Sequence, residues 1–236
     1  MSDFTAKIYH IFNTKGQIEQ IQHAFEALNN SIQLVSVSSD EHVVTVYKKP
    51  QKSSLQEEEV CLVRQVADNI YIAMTGEPGD LINITRRAVE LASAKEYTFG
   101  CVLTPDIFTR NLADKFQSYI QQSYSRCPIF AAHVFGVENG KVKLYYTDLS
   151  AVDYRCYACA SGEDSAKMSS FLEKSYKRDS SKKDLIISAI STVLQSIGKE
   201  AEHNEIGVSI FSNDGKLESL SSSEIDNYLQ LIAELQ

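Results

Sequence analysis

From Ile32 onward the apolar residues of this chain come in closely spaced sets of short, β-branched runs, and the first two sets are each followed by two helical stretches. A run with period two needs a neighbouring strand, and a stretch with period three to four needs a surface to lie on. The alternation therefore commits the chain to sheets covered by helices. Ile32 to Ser38 and His42 to Tyr47, parted by Ser39-Asp40-Glu41, predict a hairpin, and Val60 to Val63 with Ile70 to Met74 predict a second pair. Phe130 to Val137 and Val142 to Thr147 flank an Asn139-Gly140 turn. Tyr154 to Ala160 reads as one further strand, and Gly207 to Phe211 with Leu217 to Leu220 as a last pair.

The helices are marked by their stripes and ends. Gln17 to Asn29 spaces Ile18, Ile21, Phe25 and Leu28 by three and four, after the turn residues Asn13-Thr14-Lys15-Gly16. Asp80 is placed to cap a helix carrying Ile84, Ala88 and Leu91, with Gly100 just past its end. Thr104-Pro105 opens the next, whose stripe is Phe108, Leu112, Phe116 and Tyr119 and whose end falls near Arg126, ahead of Pro128. Ser165 to Lys177, Lys182 to Ser196 and a segment from Ser222 complete the set. The expected fold is α+β, with antiparallel sheets between helical layers, in a single domain spanning 1–236. Pro50 to Glu59, rich in Lys, Ser, Gln and Glu, reads as a loop.

Composition narrows the function classes. With 43% hydrophobic residues the chain can bury a sizeable core, and 31 acidic against 23 basic residues argue against nucleic acid or an anionic membrane as partner. No apolar stretch reaches the roughly 18 residues of a spanning helix. Met1-Ser2-Asp3-Phe4 does not open like a signal peptide, so the expected location is cytoplasmic and nuclear. Cys61, Cys101, Cys127, Cys156 and Cys159 are odd in number and scattered, as reduced thiols are. Cys156-Tyr157-Ala158-Cys159 has zinc-ligand spacing, but no second pair completes four ligands. On one continuous strand the two thiols would point to opposite faces, so neither metal nor cofactor is expected. The histidines, His10, His23, His42, His133 and His203, form no motif with a nearby carboxylate and read as surface or satisfied core residues.

Ile11-Phe12-Asn13-Thr14-Lys15-Gly16-Gln17-Ile18-Glu19-Gln20-Ile21-Gln22-His23-Ala24-Phe25-Glu26-Ala27 follows, position by position, the segment Ile-Phe-Ser-Pro-x-Gly-Arg-Leu-x-Gln-Val-Glu-Tyr-Ala-x-x-Ala. That segment is a signature of proteasome α subunits. Met74-Thr75-Gly76 with Asp80, and Tyr97-Thr98-Phe99-Gly100, resemble two further words of that family, while Ser169-Ser170-Phe171-Leu172-Glu173-Lys174, Glu205-Ile206-Gly207-Val208 and Glu224-Ile225-Asp226 resemble its alpha type-6 branch. The chain departs from the family where Tyr-Asp-Arg becomes Thr5-Ala6-Lys7, where Asp-Pro-x-Gly becomes Asp148-Leu149-Ser150-Ala151, and where Cys127 separates Arg126 from Pro128.

The resemblance implies a four-layer α-β-β-α sandwich of the amino-terminal nucleophile hydrolase, proteasome type. It implies a non-catalytic structural subunit of a seven-membered outer α ring, whose partners are neighbouring α subunits, β-ring subunits and a regulatory particle or other activators. The whole particle degrades ubiquitin-marked or unfolded proteins. By the same resemblance residues 1–10, with Thr5, Ala6, Lys7, Ile8 and Tyr9, form a gate tail; Ile18, Ile21 and Phe25 fill the cleft that is the active site in β subunits; and Lys49 docks an activator's C-terminal carboxylate. Two other readings are an independent amino-terminal nucleophile hydrolase and an α-like assembly factor. The hydrolase requires self-cleavage, commonly after glycine, and of ten glycines only Gly100 precedes Ser, Thr or Cys. A cut before Cys101 would discard the first helix and strands.

Overall fold

The computed structural model describes residues 12–49, 62–122, 125–197 and 202–234. Two five-stranded antiparallel sheets face each other. In chain order the strands are β1 (Leu34–Ser38), β2 (His42–Lys48), β3 (Val63–Ala67), β4 (Ile70–Gly76), β5 (Phe130–Glu138), β6 (Lys141–Asp148), β7 (Asp153–Cys156), β8 (Ala158–Ser161), β9 (Ile206–Ser212) and β10 (Leu217–Ser219). One sheet runs β10-β9-β2-β1-β8 and the other β3-β4-β5-β6-β7. The helices are α1 (Glu19–Asn29), α2 (Pro78–Phe99), α3 (Pro105–Gln121), α4 (Ser165–Ser175), α5 (Lys182–Ile197) and α6 (Ser222–Glu234).

Every residue of β1 is buried, because each sheet is covered on both faces. Toward the seam, Leu34, Val43, Phe135, Leu144 and Phe211 interdigitate, with Tyr71 packed at its margin. Val35, Val37, Val44 and Val46, on the opposite face, meet Met168, Leu172, Ile186 and Ile190 of α4 and α5. Ile72, Met74, Phe130 and Val134 meet Ile84, Ala88, Phe108 and Leu112 of α2 and α3, together with α1. Helices thus lie on both outer faces of the paired sheets, giving the expected four-layer sandwich.

Several local signals act as read. Thr104 Oγ1 caps α3 through the Ile107 amide, Gly100 closes α2 in the left-handed region at φ 66°, and Asn139-Gly140 turns with φ 53° and 74°. Four expectations are corrected. β3 covers Val63–Ala67, beyond the Val60–Val63 run, and reverses at Asp68-Asn69; Val60 lies outside the described residues. Asn69 holds that turn against the neighbouring strand, its side chain accepting from the Val137 amide and donating to the Val137 carbonyl. A side chain at Gly136 would strike the Asn69 carbonyl, which accounts for a glycine inside a strand.

α3 ends at Gln121, where Gln122 turns extended, well short of Arg126. Asp80 is not a cap: it sits in the first turn of α2, whose N-cap is Glu77. Its carboxylate accepts from both terminal nitrogens of Arg126 and from the Ile129 amide at 2.8 Å, so it fastens the segment entering β5. Finally, Tyr154 to Ala160 is two strands. β7 ends at Cys156 as the outer strand of one sheet, and β8 begins at Ala158 as the outer strand of the other.

A polar group sits in the otherwise apolar seam. His133 is wholly buried; its Nδ1 meets Ser36 Oγ and its Nε2 meets Ser161 Oγ, each at 2.9 Å, and Ser36 Oγ meets Thr45 Oγ1 at 3.0 Å. Both ring nitrogens are satisfied by hydroxyls of the opposite sheet, so the histidine is a cross-sheet tie. Burial disfavours the imidazolium and pulls its pKa from 6.5 to about 3.

Two outcomes follow. Replacing Asp80 with Ala strands the Ile129 amide and removes the Arg126 contacts, which should cost about 1–3 kcal/mol, read as a lowered urea midpoint. His133 sets an acid limb. The unfolded chain takes up this proton near pH 6.5 and the folded chain only near 3, so the stability it confers is whole above 6.5 and is lost as pH falls toward 3. The loss approaches about 1.4 kcal/mol per pH unit; His133→Asn should flatten that limb in urea titrations run between those pH values.

Candidate functional site

One end of the sandwich gathers the start of β1 and the ends of β2, β4 and β8. Here Ser31, Ile32 and Gln33 lead into β1. Ser31 Oγ contacts the Leu28 carbonyl at 2.6 Å and Thr75 Oγ1 at 2.9 Å, and Thr75 Oγ1 donates to the Ile32 carbonyl at 2.6 Å. Gln33 Nε2 donates to Glu163 at 2.7 Å. The Glu163 amide donates to the Ser31 carbonyl at 2.9 Å, and a side chain at Gly162 would strike the Ile32 carbonyl. The backbone there is packed by close approach of two loops.

A hydroxyl nucleophile needs a base that takes its proton. The Ser31 and Thr75 hydroxyls are instead engaged with backbone carbonyls and with each other, and Ile32 between them has no nucleophilic atom. His133, which does contact two serine hydroxyls, is sealed in the seam at 0% exposure. Among the described residues, no group of three or more His, Cys, Asp or Glu is placed to hold a metal ion, and no helix is long and apolar enough to cross a membrane.

α1 lies against the outer face of the β4-β5 sheet. Ile21, Ala24 and Leu28 are buried there, and Ile18 and Phe25 pack partly buried on the same cluster. The buried stripe thus runs from Ile21 through Ala24 to Leu28, with the aromatic Phe25 only partly buried beside it. Asn13 Oδ1 receives the Lys15 and Gln17 amides, and Phe12 bridges to Ile18, so the approach to the helix is folded back on itself. Thr5, Ala6, Lys7, Ile8 and Tyr9 lie outside the described residues, as does the Pro50 to Glu59 segment.

Lys49 leaves β2 with its amide bonded to the Glu205 carbonyl at 2.7 Å. It is not among the described residues lining the apolar cavity of about 590 Å³ beside the end of β4. That cavity is walled by Leu62, Met74, Pro78, Leu81 and Ile82, and its cation is Arg64. Nothing in the sequence marks Arg64: it is one exposed residue of a half-exposed strand, and only pairing of β3 with β4 sets it beside α2.

Comparison with known proteins places these features. The family model described as proteasome subunit matches residues 29–211. The chain is 26% identical over 222 residues to proteasome subunit alpha 1 of Haloferax volcanii, and 26% identical over 223 residues to proteasome subunit alpha of Haloquadratum walsbyi. It is 29% identical over 226 residues to proteasome subunit alpha type-7-B of Oryza sativa subsp. indica. Each alignment covers 93% of this chain and 88% of the relative's length, so the likeness runs nearly end to end. A family match across both sheets, full-length α-subunit relatives and two facing antiparallel sheets between helices agree: the chain belongs to the proteasome subunit family, on its α side.

Proposed function

We propose that this chain is a non-catalytic, structural subunit of the outer α ring of the 20S proteasome. The observation that carries the reading is an asymmetry between the two helical layers. On α2 and the turn into α3, Ile82, Val89, Tyr97, Phe99 and Val102 are exposed, Tyr97 by 92%, and Ile107 of α3 adds to them. Among the described residues, the α4 to α6 layer exposes no comparably large apolar side chain. An apolar layer on one side only is what a subunit stacked face to face on a second ring requires. We assign the α2–α3 layer to contact with β subunits, and the lateral faces to α neighbours in a closed heterologous ring.

The absence of chemistry belongs to the same reading. Ile32 occupies the start of β1 between hydroxyls committed to carbonyls, and α1 adds a further covering element over the adjacent sheet. Residues 1–10, with Thr5 to Tyr9, are assigned to the gate, and the particle's work, degradation of ubiquitin-marked or unfolded proteins in cytoplasm and nucleus, to the β subunits it admits substrate to. An activator C-terminus needs a cation beside an apolar cavity. Lys49, the lysine indicated by the resemblance, is assigned to that contact, in a pocket formed with a neighbouring α subunit. The alpha type-6 branch is supported by Ser169 to Lys174, Glu205 to Val208 and Glu224 to Asp226. A type-7 relative at 29% identity shows that likeness also extends beyond that branch.

Native and then denaturing mass spectrometry of the purified assembly tests the core of this reading: a particle of about 28 subunits with two unprocessed copies of this chain supports it. A processed monomer active on peptides would replace it with the hydrolase reading. Tyr97→Glu combined with Val102→Glu should leave the fold intact by circular dichroism while blocking incorporation into double rings. Lys49→Ala should weaken carboxylate-dependent activator binding about tenfold, a loss of about 1.4 kcal/mol, with Arg64→Ala changing it far less.

A further inference from the structure

Cys156 and Cys159 flank Tyr157, the single residue through which the chain passes from the outer strand of one sheet to the outer strand of the other. On one continuous strand their side chains would diverge. The bend at Tyr157 cancels that alternation. Cys156, in register with Leu144, and Cys159, in register with Ser36, both turn into the seam, where they join the same apolar cluster. Burial, and then the neighbouring Cys156 sulfur, raise the Cys159 thiol pKa well above its usual range.

The bend is held independently of the thiols. The Tyr157 carbonyl accepts from the Ser38 amide at 2.7 Å and from Ser38 Oγ at 2.9 Å. Its ring stacks on Tyr176 and lies under the guanidinium groups of Arg155 and Arg178, with centroid distances of 5.4 and 5.1 Å. Two neighbouring thiols turned into one cluster at a braced bend need little backbone movement to bond. The remaining described cysteines differ. Cys127 is buried with its thiol directed at the Leu149 carbonyl, and burial pushes its pKa up to about 11, while Cys101 is exposed on the turn after α2.

We propose that Cys156 and Cys159 are an oxidisable dithiol which a hydroperoxide closes into an intrachain disulfide, tying the outer strands of the two sheets together. The half-buried Cys156 is the sulfur that meets the oxidant and Cys159 the one that resolves it. The Cys156 thiolate attacks the terminal peroxide oxygen and the O–O bond breaks. The departing alkoxide or hydroxide takes a proton, leaving Cys156 as a sulfenic acid. Cys159 then gives up its thiol proton, its sulfur displaces hydroxide from Cys156, and that hydroxide leaves as water. In sum two thiols and one hydroperoxide yield one disulfide, one alcohol or water, and one water. Burial holds the Cys159 thiol well above its usual range, so it stays protonated and unreactive until its neighbour is oxidised.

The test uses the full chain in its native assembly, treated with hydrogen peroxide, denatured, alkylated with N-ethylmaleimide and digested. The peptide holding both cysteines should lose about 2 Da and take no label, and dithiothreitol should restore two labels. Cys156→Ser should abolish the loss and leave Cys159 fully labelled at the same dose. Cys159→Ala should leave Cys156 trapped as a dimedone-reactive sulfenic acid. Two thiols still labelled at doses that oxidise Cys101 would overturn the proposal. So would Cys156 running to the sulfinic acid, about 32 Da heavier, with Cys159 untouched.

Discussion

The fold depends on the seam between the two sheets. Leu34, Val43, Phe135, Leu144 and Phe211 remove the inner faces of both sheets from water, and once those faces are spent on each other the outer faces must be covered by helices. This is why strands such as β1 and β2 are buried on both sides, and why helices flank both sheets. The His133 tie to Ser36 and Ser161 adds direction to that contact. Apolar packing alone tolerates sliding, whereas two hydrogen bonds from one ring to the opposite sheet fix how the sheets register.

The same seam explains what the open end can and cannot do. Where β1 starts, the loops are drawn together by Gln33 with Glu163 and by Ser31 with Thr75, and each polar atom named there is turned toward backbone or a neighbouring side chain. That arrangement holds a shape, with the Ser31 and Thr75 hydroxyls spent on carbonyls and on each other. Asp80 extends the bracing outward, joining the first turn of α2 to Arg126 and to the strand entering behind it. A subunit whose contribution is to present fixed surfaces to neighbours needs this kind of stiffness at its ends.

The passage from β7 to β8 joins structure to chemistry. It places two thiols in the seam at the margin of both sheets, a few residues from the tie at His133, since Cys159 pairs with Ser36 across β1. Covalent closure there would act on the contact that organises the rest of the molecule.

Much of this was legible in the chain itself, because strand and helix periods, caps and turns are local. Thr104-Pro105, Gly100 and Asn139-Gly140 mark their elements through groups a few bonds away, and the words around Gly16 to Ala27 carry the family. What the sequence left open depends on partners distant in the chain. Asp80 reads as a cap until Arg126, 46 residues away, claims its carboxylate, and Cys156 and Cys159 diverge on paper until the chain changes sheets between them. His133 is one histidine among five until two strands of the opposite sheet bring it hydroxyls, and Arg64 is an exposed strand residue until β4 and α2 supply a cavity. The sequence by itself determined the layers and the family, since these rest on periodicity and contiguous words. Only the tertiary structure decided which polar groups meet, since meeting is set by the packing of surfaces far apart along the chain.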